Sequence, residues 1–352
     1  MRKYKKRVTP RYEIYDLKRS PLSQKPTQRN LAKLVGLKRD DLRRVVNYKE
    51  EFIIRKTILT GTKERDLAYP TGLLRAVHER LKFHFNKVRQ PGYLMSPRKG
   101  LSQRDNAVRH LNNVQYVCLD IKQFYPSTTF QMVKFWAIEE LGMYEDVAGL
   151  LAEIATVDGV VSFGSPLTPV LVSMVHRSMF NKIDEHCELK SLKNSLWVDD
   201  LTISGNETSG DTIEFLRQTI REQGLRSHKI KFRTGNRAVW ITGIGVVGDC
   251  LIAPNQMHLK IKALWNLYYE AETSQERQSI GLKLLSQMGS IRYIVGLKSV
   301  LGMRLSNQMN SLRQHLEKDR NQETQAAYNL NENDNEKQNS NDLLAKLADT
   351  PW

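Results

Sequence analysis

Read for the spacing of its apolar positions, the chain falls into stretches of unlike character. In LAKLVGLKRDDLRRVV, residues 31–46, Leu31, Leu34, Val35, Leu42, Val45 and Val46 recur at broadly helical intervals. The pattern predicts an amphipathic helix pair with Arg39, Arg43 and Arg44 on its outer face. Two β-branched runs around Gly61, within 52–70, predict a hairpin, and TGLLRAVHERLKFHFNKV, 71–88, predicts a helix. PGYLMSPRKG, 91–100, reads as a loop with a basic end.

From Tyr116 to about Val247, short strands alternate with helices. VCLDI is followed by TFQMVKFWAIEEL, PLTPVLVSMVHRSMFNKI and the hairpin SLWVDDLTIS. The helix TIEFLRQTIREQG and the strands HKIKFR and RAVWITGIGVVG complete the series. The order β-α-α-ββ-α-β resembles the palm of right-hand polymerases, an antiparallel sheet backed by helices, and so implies an α+β domain. Residues 255–318 are helical and basic in pattern. From Asn321 onward, seven Asn and six acidic residues against two Lys leave little apolar surface to offset ordering entropy, so a disordered tail is expected.

Charge narrows the partners. The formal net charge is +16, and residues 1–60 alone hold 18 Lys/Arg against 6 Asp/Glu. Polyanions are the expected partner, because neutralising phosphates releases condensed counterions. The 352 residues suffice for one large or two modest domains, and no apolar run reaches the roughly 18 residues of a membrane helix. The basic start has no apolar stretch behind it, so it is not a signal peptide and a cytoplasmic location without membrane partners is expected. Cys118, Cys187 and Cys250 form no CxxC pair, which argues against a disulfide framework or a zinc site.

The candidate chemistry begins at SLWVDDLTIS, 195–204, where apolar arms flank adjacent aspartates. Asp is common in turns for local hydrogen-bonding reasons, but rigid arms also suit metal ligands. A further acid is available in YVCLDIKQFYPS, 116–127: Asp120 ends an apolar strand, where a lone carboxylate is costly without a cation or donors. Two strand ends side by side would let Asp120 and Asp199 bridge two Mg²⁺ ions about 3.5–4 Å apart. The plainer reading has Asp120 capping a helix or paired with a Lys. Adjacent hairpin residues point differently, which leaves Asp200 as an accessory carboxylate. In FGSPLTPVLVSMV, 163–175, Gly164 allows a backbone to approach a ligand closely, and the prolines and Thr168 suit a loop entering a helix.

LDIKQFYPS, GSPLTP and WVDD resemble, in order and separation, the three palm motifs of reverse transcriptases, over roughly residues 50–315. The resemblance implies a right-hand polymerase with an RRM-like antiparallel palm sheet and a helical thumb. The implied divisions are a basic N-terminal region (1–50), fingers (51–115), a catalytic palm (116–250), a thumb and RNA-recognition region (251–318) and the tail (319–352). By position, Asp120, Asp199 and Asp200 would be the catalytic acids, holding two Mg²⁺ together with the Ile121 carbonyl. Tyr125 falls at the family's steric gate against the ribose 2′-hydroxyl, favouring dNTPs. Phe163 and Gly164 would line the nucleotide site, with Lys231 (rival Lys229) as the motif D lysine. In TKERDLAYP, Arg65 and Lys63 would meet the triphosphate, where a guanidinium fork suits phosphate oxygens; solvated surface charge is the alternative for these cations. Trp197 stands where the family has Tyr, Phe163 where it has Gln, and Ser173 where it has Asn.

NAVRH, Asn106 to His110, and WITGIGV, 240–246, resemble the Asn-Ala-x-x-His and Val-Thr-Gly signatures of bacterial retron enzymes. As an i, i+4 pair on a helix, Asn106 and His110 are expected to share a face and contact RNA, a structural hydrogen bond being the other reading. Thr242 and Gly243 are expected to meet an RNA stem. KIKALWNLYYEAE interleaves Lys260 and Lys262 with Trp265, Tyr268 and Tyr269, and Arg292 and Lys298 follow. These residues either read cognate RNA or form a thumb core. The chain's shortness, without RNase H-like, endonuclease, integrase or maturase regions, also fits retrons. The resemblance implies a structured non-coding RNA as partner and template, priming from a guanosine 2′-hydroxyl, a branched RNA–DNA product (multicopy single-stranded DNA), and a defence role against phage with an effector protein. Competing readings are a group II intron-like or abortive-infection reverse transcriptase, a catalytically silent RNA-binding scaffold, and a basic RNA binder of other ancestry.

Overall fold

The computed structural model describes residues 13–60, 63–234 and 237–322, so the Asn-rich sequence beyond 322 lies outside the described residues. The chain divides into two compact units, one ending at Thr242 and the other beginning at Gly243.

In the first unit, α1 (Gln28–Leu34) and α2 (Arg39–Asn47) form the expected helix pair. Thr27 caps α1 by accepting the Asn30 N–H. Gly36, at φ 80°, turns the chain between them, where only glycine enters the left-handed region without steric cost. Strands β1 (Ile53–Thr60) and β2 (Lys63–Pro70) pair antiparallel, Ile53 opposite Pro70, and lead into α3 (Gly72–Asn86).

Leu94–Ser96 forms a short strand, β3, where the sequence reads as a loop. Three residues carry no legible alternation, and pairing with a distant strand supplies what local pattern does not. The order continues with α4 (Gln103–Val108), β4 (Gln115–Ile121), α5 (Phe130–Glu139) and α6 (Glu145–Ala155). Gly149 and the alanines of α6 dilute its apolar spacing, and sequence pattern missed it. The string expected as one helix is two, α7 (Thr168–Val175) and α8 (Arg177–Leu189), broken at His176 with φ −99° and ψ 14°. The buried His176 imidazole there places Nε2 2.9 Å from the Thr128 hydroxyl. Then follow β5 (Lys193–Trp197), β6 (Asp200–Gly205), α9 (Gly210–Glu222), β7 (Ser227–Thr234) and β8 (Val239–Ile241).

Five strands form one sheet in the order β3-β5-β6-β4-β7. All neighbours are antiparallel except β3, which runs parallel to β5. Val117, Leu119 and Ile121 of β4 and Leu196, Leu201 and Ile203 of the β5–β6 hairpin join Phe85, Trp136, Leu151, Leu171 and Phe180 of the helices in one buried core. Each such side chain contributes roughly 1.5–3 kcal/mol on burial. The hairpin is therefore gripped by the core along its arms.

In the second unit, β9 (Ile244–Val247) and β10 (Cys250–Ile252) pair antiparallel ahead of α10 (Asn255–Glu270) and α11 (Ser274–Val295). These strands pack with the helices that follow, so the unit begins earlier than the expected 250/251 boundary. Helical backbone resumes over 300–322, past the point where the tail was expected to start. Leu284, Met288 and Ile291 of α11 and Leu305, Met309 and Leu312 of that last helix are buried. Gly281 permits the close crossing: a Cβ there would lie 2.7 Å from Leu316 Cδ2. No helix among the described residues is long and apolar enough to cross a membrane.

Candidate active site

The β5–β6 hairpin closes in two residues, Val198 and Asp199, between the paired Trp197 and Asp200. Val198 takes φ 62°, a region that β-branched residues avoid at a cost of order 1–3 kcal/mol. The surroundings hold it there. Val198 donates its N–H to the Ser96 carbonyl at 3.2 Å, and the Asp199 carbonyl accepts the Ile121 N–H at 3.0 Å. A tight turn so constrained aims the Asp199 side chain independently of solvent.

Asp120 stands directly opposite Asp200 in the β4–β6 register. One carboxylate oxygen from each of Asp120, Asp199 and Asp200 lies within 4.8 Å of the others. Asp120 and Asp199 are half-buried, whereas Asp200 is exposed. Burial, then Asp200 and Asp120, push the Asp199 carboxyl up to about 6. Desolvation and Asp120 also raise Asp200, against the pull of Lys229 and Lys231. Three carboxylates so placed repel one another, and a hard divalent cation with oxygen preference is the group that relieves this. The donor set fits Mg²⁺.

The triad opens on a cleft of about 1140 Å³ whose wall includes Arg65, Tyr125, Phe163, Ile121 and Lys229. Tyr125 packs on Phe163 with ring centroids 5.0 Å apart, and the Arg65 guanidinium lies over the same Phe163 ring, 5.4 Å from its centroid. Burial, then the negative Asp199, raises the Tyr125 hydroxyl above its ordinary value, so it stays protonated. The β7 strand bulges opposite Leu119, because Cys118 faces Lys231 while Asp120 faces His228. Lys229, at φ 49° in that bulge, joins the cleft wall, and Lys231 sits further along the strand. Lys63 begins β2, and its side chain lies outside the described residues.

Gly164 serves a different approach from the one expected. At φ 101°, its missing Cβ would fall 3.2 Å from the Ala68 carbonyl and 3.2 Å from the Tyr69 ring, so it makes room for β2 rather than for a ligand. Phe163 accepts the Ala68 N–H at 2.9 Å in the same contact. Sequence reasoning missed His78, which pins the loop beyond. Its Nδ1 meets the Ser165 hydroxyl at 2.7 Å and its Nε2 the Ile154 carbonyl at 2.9 Å. A histidine within an apolar helical face gave only a weak signal. Of the departures from the family pattern, Ser173 is buried and donates to its own helix at Val170 O, 2.8 Å.

Asn106 and His110 make hydrogen bonds inside the protein, the other reading that the sequence offered. α4 ends at Val108, so the two do not share a helical face, and both are buried, at 1% and 0% exposure. Asn106 donates from Nδ2 to the Thr242 hydroxyl at 3.4 Å, so the two signature strings meet each other. His110 lies between Ser204 and Ser195, each hydroxyl 2.7 Å from a ring nitrogen. Asn113 also donates to Ser204 Oγ at 2.9 Å. Thr242, at φ 47°, and the exposed Gly243, at φ 84°, form a left-handed turn.

In the second unit, Lys260, Lys262 and Lys298 are exposed, and Arg292 donates to Ser306 Oγ at 3.3 Å. Trp265 and Tyr268 are half-buried, and Trp265 stacks on the exposed Tyr269 at 5.6 Å between centroids. Helix α10 has no fully buried residue, so these aromatics are not a closed core.

No protein-family model matches the chain. The chain is similar to the Retron Se72 reverse transcriptase of Salmonella heidelberg (strain 579083-10), with 25% identity over 181 residues. The match covers 51% of this chain and 48% of the relative, so the chain spans about half the length of the curated protein it matches.

Proposed function

We propose that this protein is a retron-type RNA-directed DNA polymerase, a nucleotidyltransferase with fingers, palm and thumb. The observation that carries the reading is the triad: Asp120, Asp199 and Asp200 within 4.8 Å, on two strands that meet at the floor of an open cleft. Asp120 and Asp199 would hold Mg²⁺, with Asp200 and the Ile121 carbonyl as accessory donors. Bound there, two such ions supply Lewis acidity and neutralise phosphate charge. The chain's own residues do the rest. Arg65 and Lys229 face the cleft as cations for triphosphate oxygens, and Lys231 adds positive field behind them. Tyr125, braced by Phe163, presents a ring where a ribose 2′-hydroxyl would sit and thereby selects dNTPs.

The resemblance to a retron enzyme supports the finer reading. The template is a cognate structured RNA, the product a branched RNA-linked single-stranded DNA, and the setting a bacterial anti-phage system with an effector protein. The test is to purify the protein with its bound nucleic acid and sequence that material before and after debranching. A retron predicts one RNA joined to DNA through a 2′–5′ link; unlinked or heterogeneous nucleic acid contradicts the retron reading.

A further inference from the structure

A second concave surface lies in the first unit, apart from the carboxylates. Between α1 and the start of α2 runs a groove of about 810 Å³ whose rim carries Arg29, Lys33, Lys38 and Arg39. All four are exposed, and none has an ion pair among the described residues. Two acids, Asp40 and Asp146, lie beside them. Asp146 is held by Gln28, which donates from Nε2 at 2.8 Å, and Gln28 in turn accepts from Arg43 at 3.0 Å. Both acids keep their charge, so four cations stand against two carboxylates.

The arrangement is built by the fold. Leu31, Ala32, Val35, Leu42 and Val45 are buried on the inner face of the helix pair. The 3.6-residue repeat therefore turns the basic positions outward, and the left-handed Gly36 brings Lys33 on one helix towards Lys38 and Arg39 on the next. Four long cationic side chains on a concave, polar surface repel one another, and a chain of phosphates is the ligand that reverses this. Such contacts go to the backbone and carry no sequence information.

We infer that this α1–α2 groove is a second nucleic-acid site that holds the phosphodiester backbone of single-stranded RNA. It deepens the proposed function, since the RNA template of a DNA polymerase must extend beyond the catalytic cleft, but it requires only that the protein binds RNA.

The test measures binding of the full chain to a fluorescein-labelled single-stranded RNA of arbitrary sequence, by anisotropy across a salt series. The variant carries Arg29→Gln, Lys33→Gln, Lys38→Gln and Arg39→Gln; Lys33→Glu alone guards against misfolding of the multiple variant. Affinity should fall by more than about tenfold, and the slope of log K against log salt should shrink by about 3, the value for losing four single-strand phosphate contacts. Unchanged affinity and slope in both groove variants would overturn the inference. So would displacement of the RNA by polyglutamate at equal charge, which would mark the groove as a seat for acidic polypeptide. If wild type binds with the expected slope but makes no DNA, the groove stands and the polymerase reading fails.

Discussion

The His110 imidazole lies 2.7 Å from the Ser195 hydroxyl, beneath the β5 arm that ends in the Val198–Asp199 turn. Ser204 completes the clamp from β6, so one neutral ring ties together the two strands that carry the carboxylates. His110→Ala leaves two buried hydroxyls without their partner and should cost about 3 kcal/mol in urea unfolding. His110→Gln keeps a donor and an acceptor and should recover part of that loss. RNA affinity should be unchanged in both; a variant that loses RNA binding at full stability would restore the contact role expected from sequence.

Three buried histidines make stability depend on pH. Burial lowers His78 to about 4, His110 to about 3 and His176 to about 4. In the unfolded chain each titrates near about 6.5. Below that pH the unfolded state binds protons that the folded state refuses, so stability is full above about 6.5 and declines towards 4. At pH 5 the loss is about 2 kcal/mol per site. Asp199 opposes this, because its carboxyl is held high in the folded chain. The measurement is therefore the difference between wild type and His110→Gln at pH 7.5 and pH 5. The variant should lose less; equal losses would contradict a neutral buried His110.

Much of this was legible in the sequence because the relevant signals are local. The hairpin arms around Asp199 and the apolar strand ending in Asp120 are period-two patterns, and the β1–β2 hairpin is bounded by its turn. What escaped was set by distant partners. β3 exists because β5 pairs with it, Lys229 enters the cleft through a bulge whose register only β4 defines, and α7 parts from α8 where His176 meets Thr128. The partners of Asn106 and His110 were not legible because they lie 136 and 85–94 positions away.

Tyr125 should govern sugar selection. Tyr125→Val opens the space beside Phe163 and should raise ribonucleotide incorporation relative to dNTPs in primer extension. The neighbouring Phe124 also lines the cleft but is only 4% exposed and packs on His176 and Phe180. An unchanged ratio in Tyr125→Val would remove Tyr125 from that role.

Gly164→Ala should destabilise the cleft wall. The new methyl meets backbone at Ala68 and the Tyr69 ring at a left-handed φ, a combined cost of about 1–3 kcal/mol. Thermal unfolding should show a lower Tm, and an unchanged Tm would mean that β2 yields freely.

If Asp120 and Asp199 hold the metal for DNA synthesis, activity must follow both the ion and these two carboxylates. The direct measurement is primer extension by the purified protein on an RNA template with dNTPs, across a Mg²⁺ titration, beside Asp120→Asn and Asp199→Asn. Wild type should extend only with the metal. Each variant should fall by at least about 10³-fold, the loss of several kcal/mol of charge stabilisation, while keeping its RNA affinity. Extension at the wild-type rate by Asp199→Asn, or no metal-dependent extension by wild type, would contradict the account.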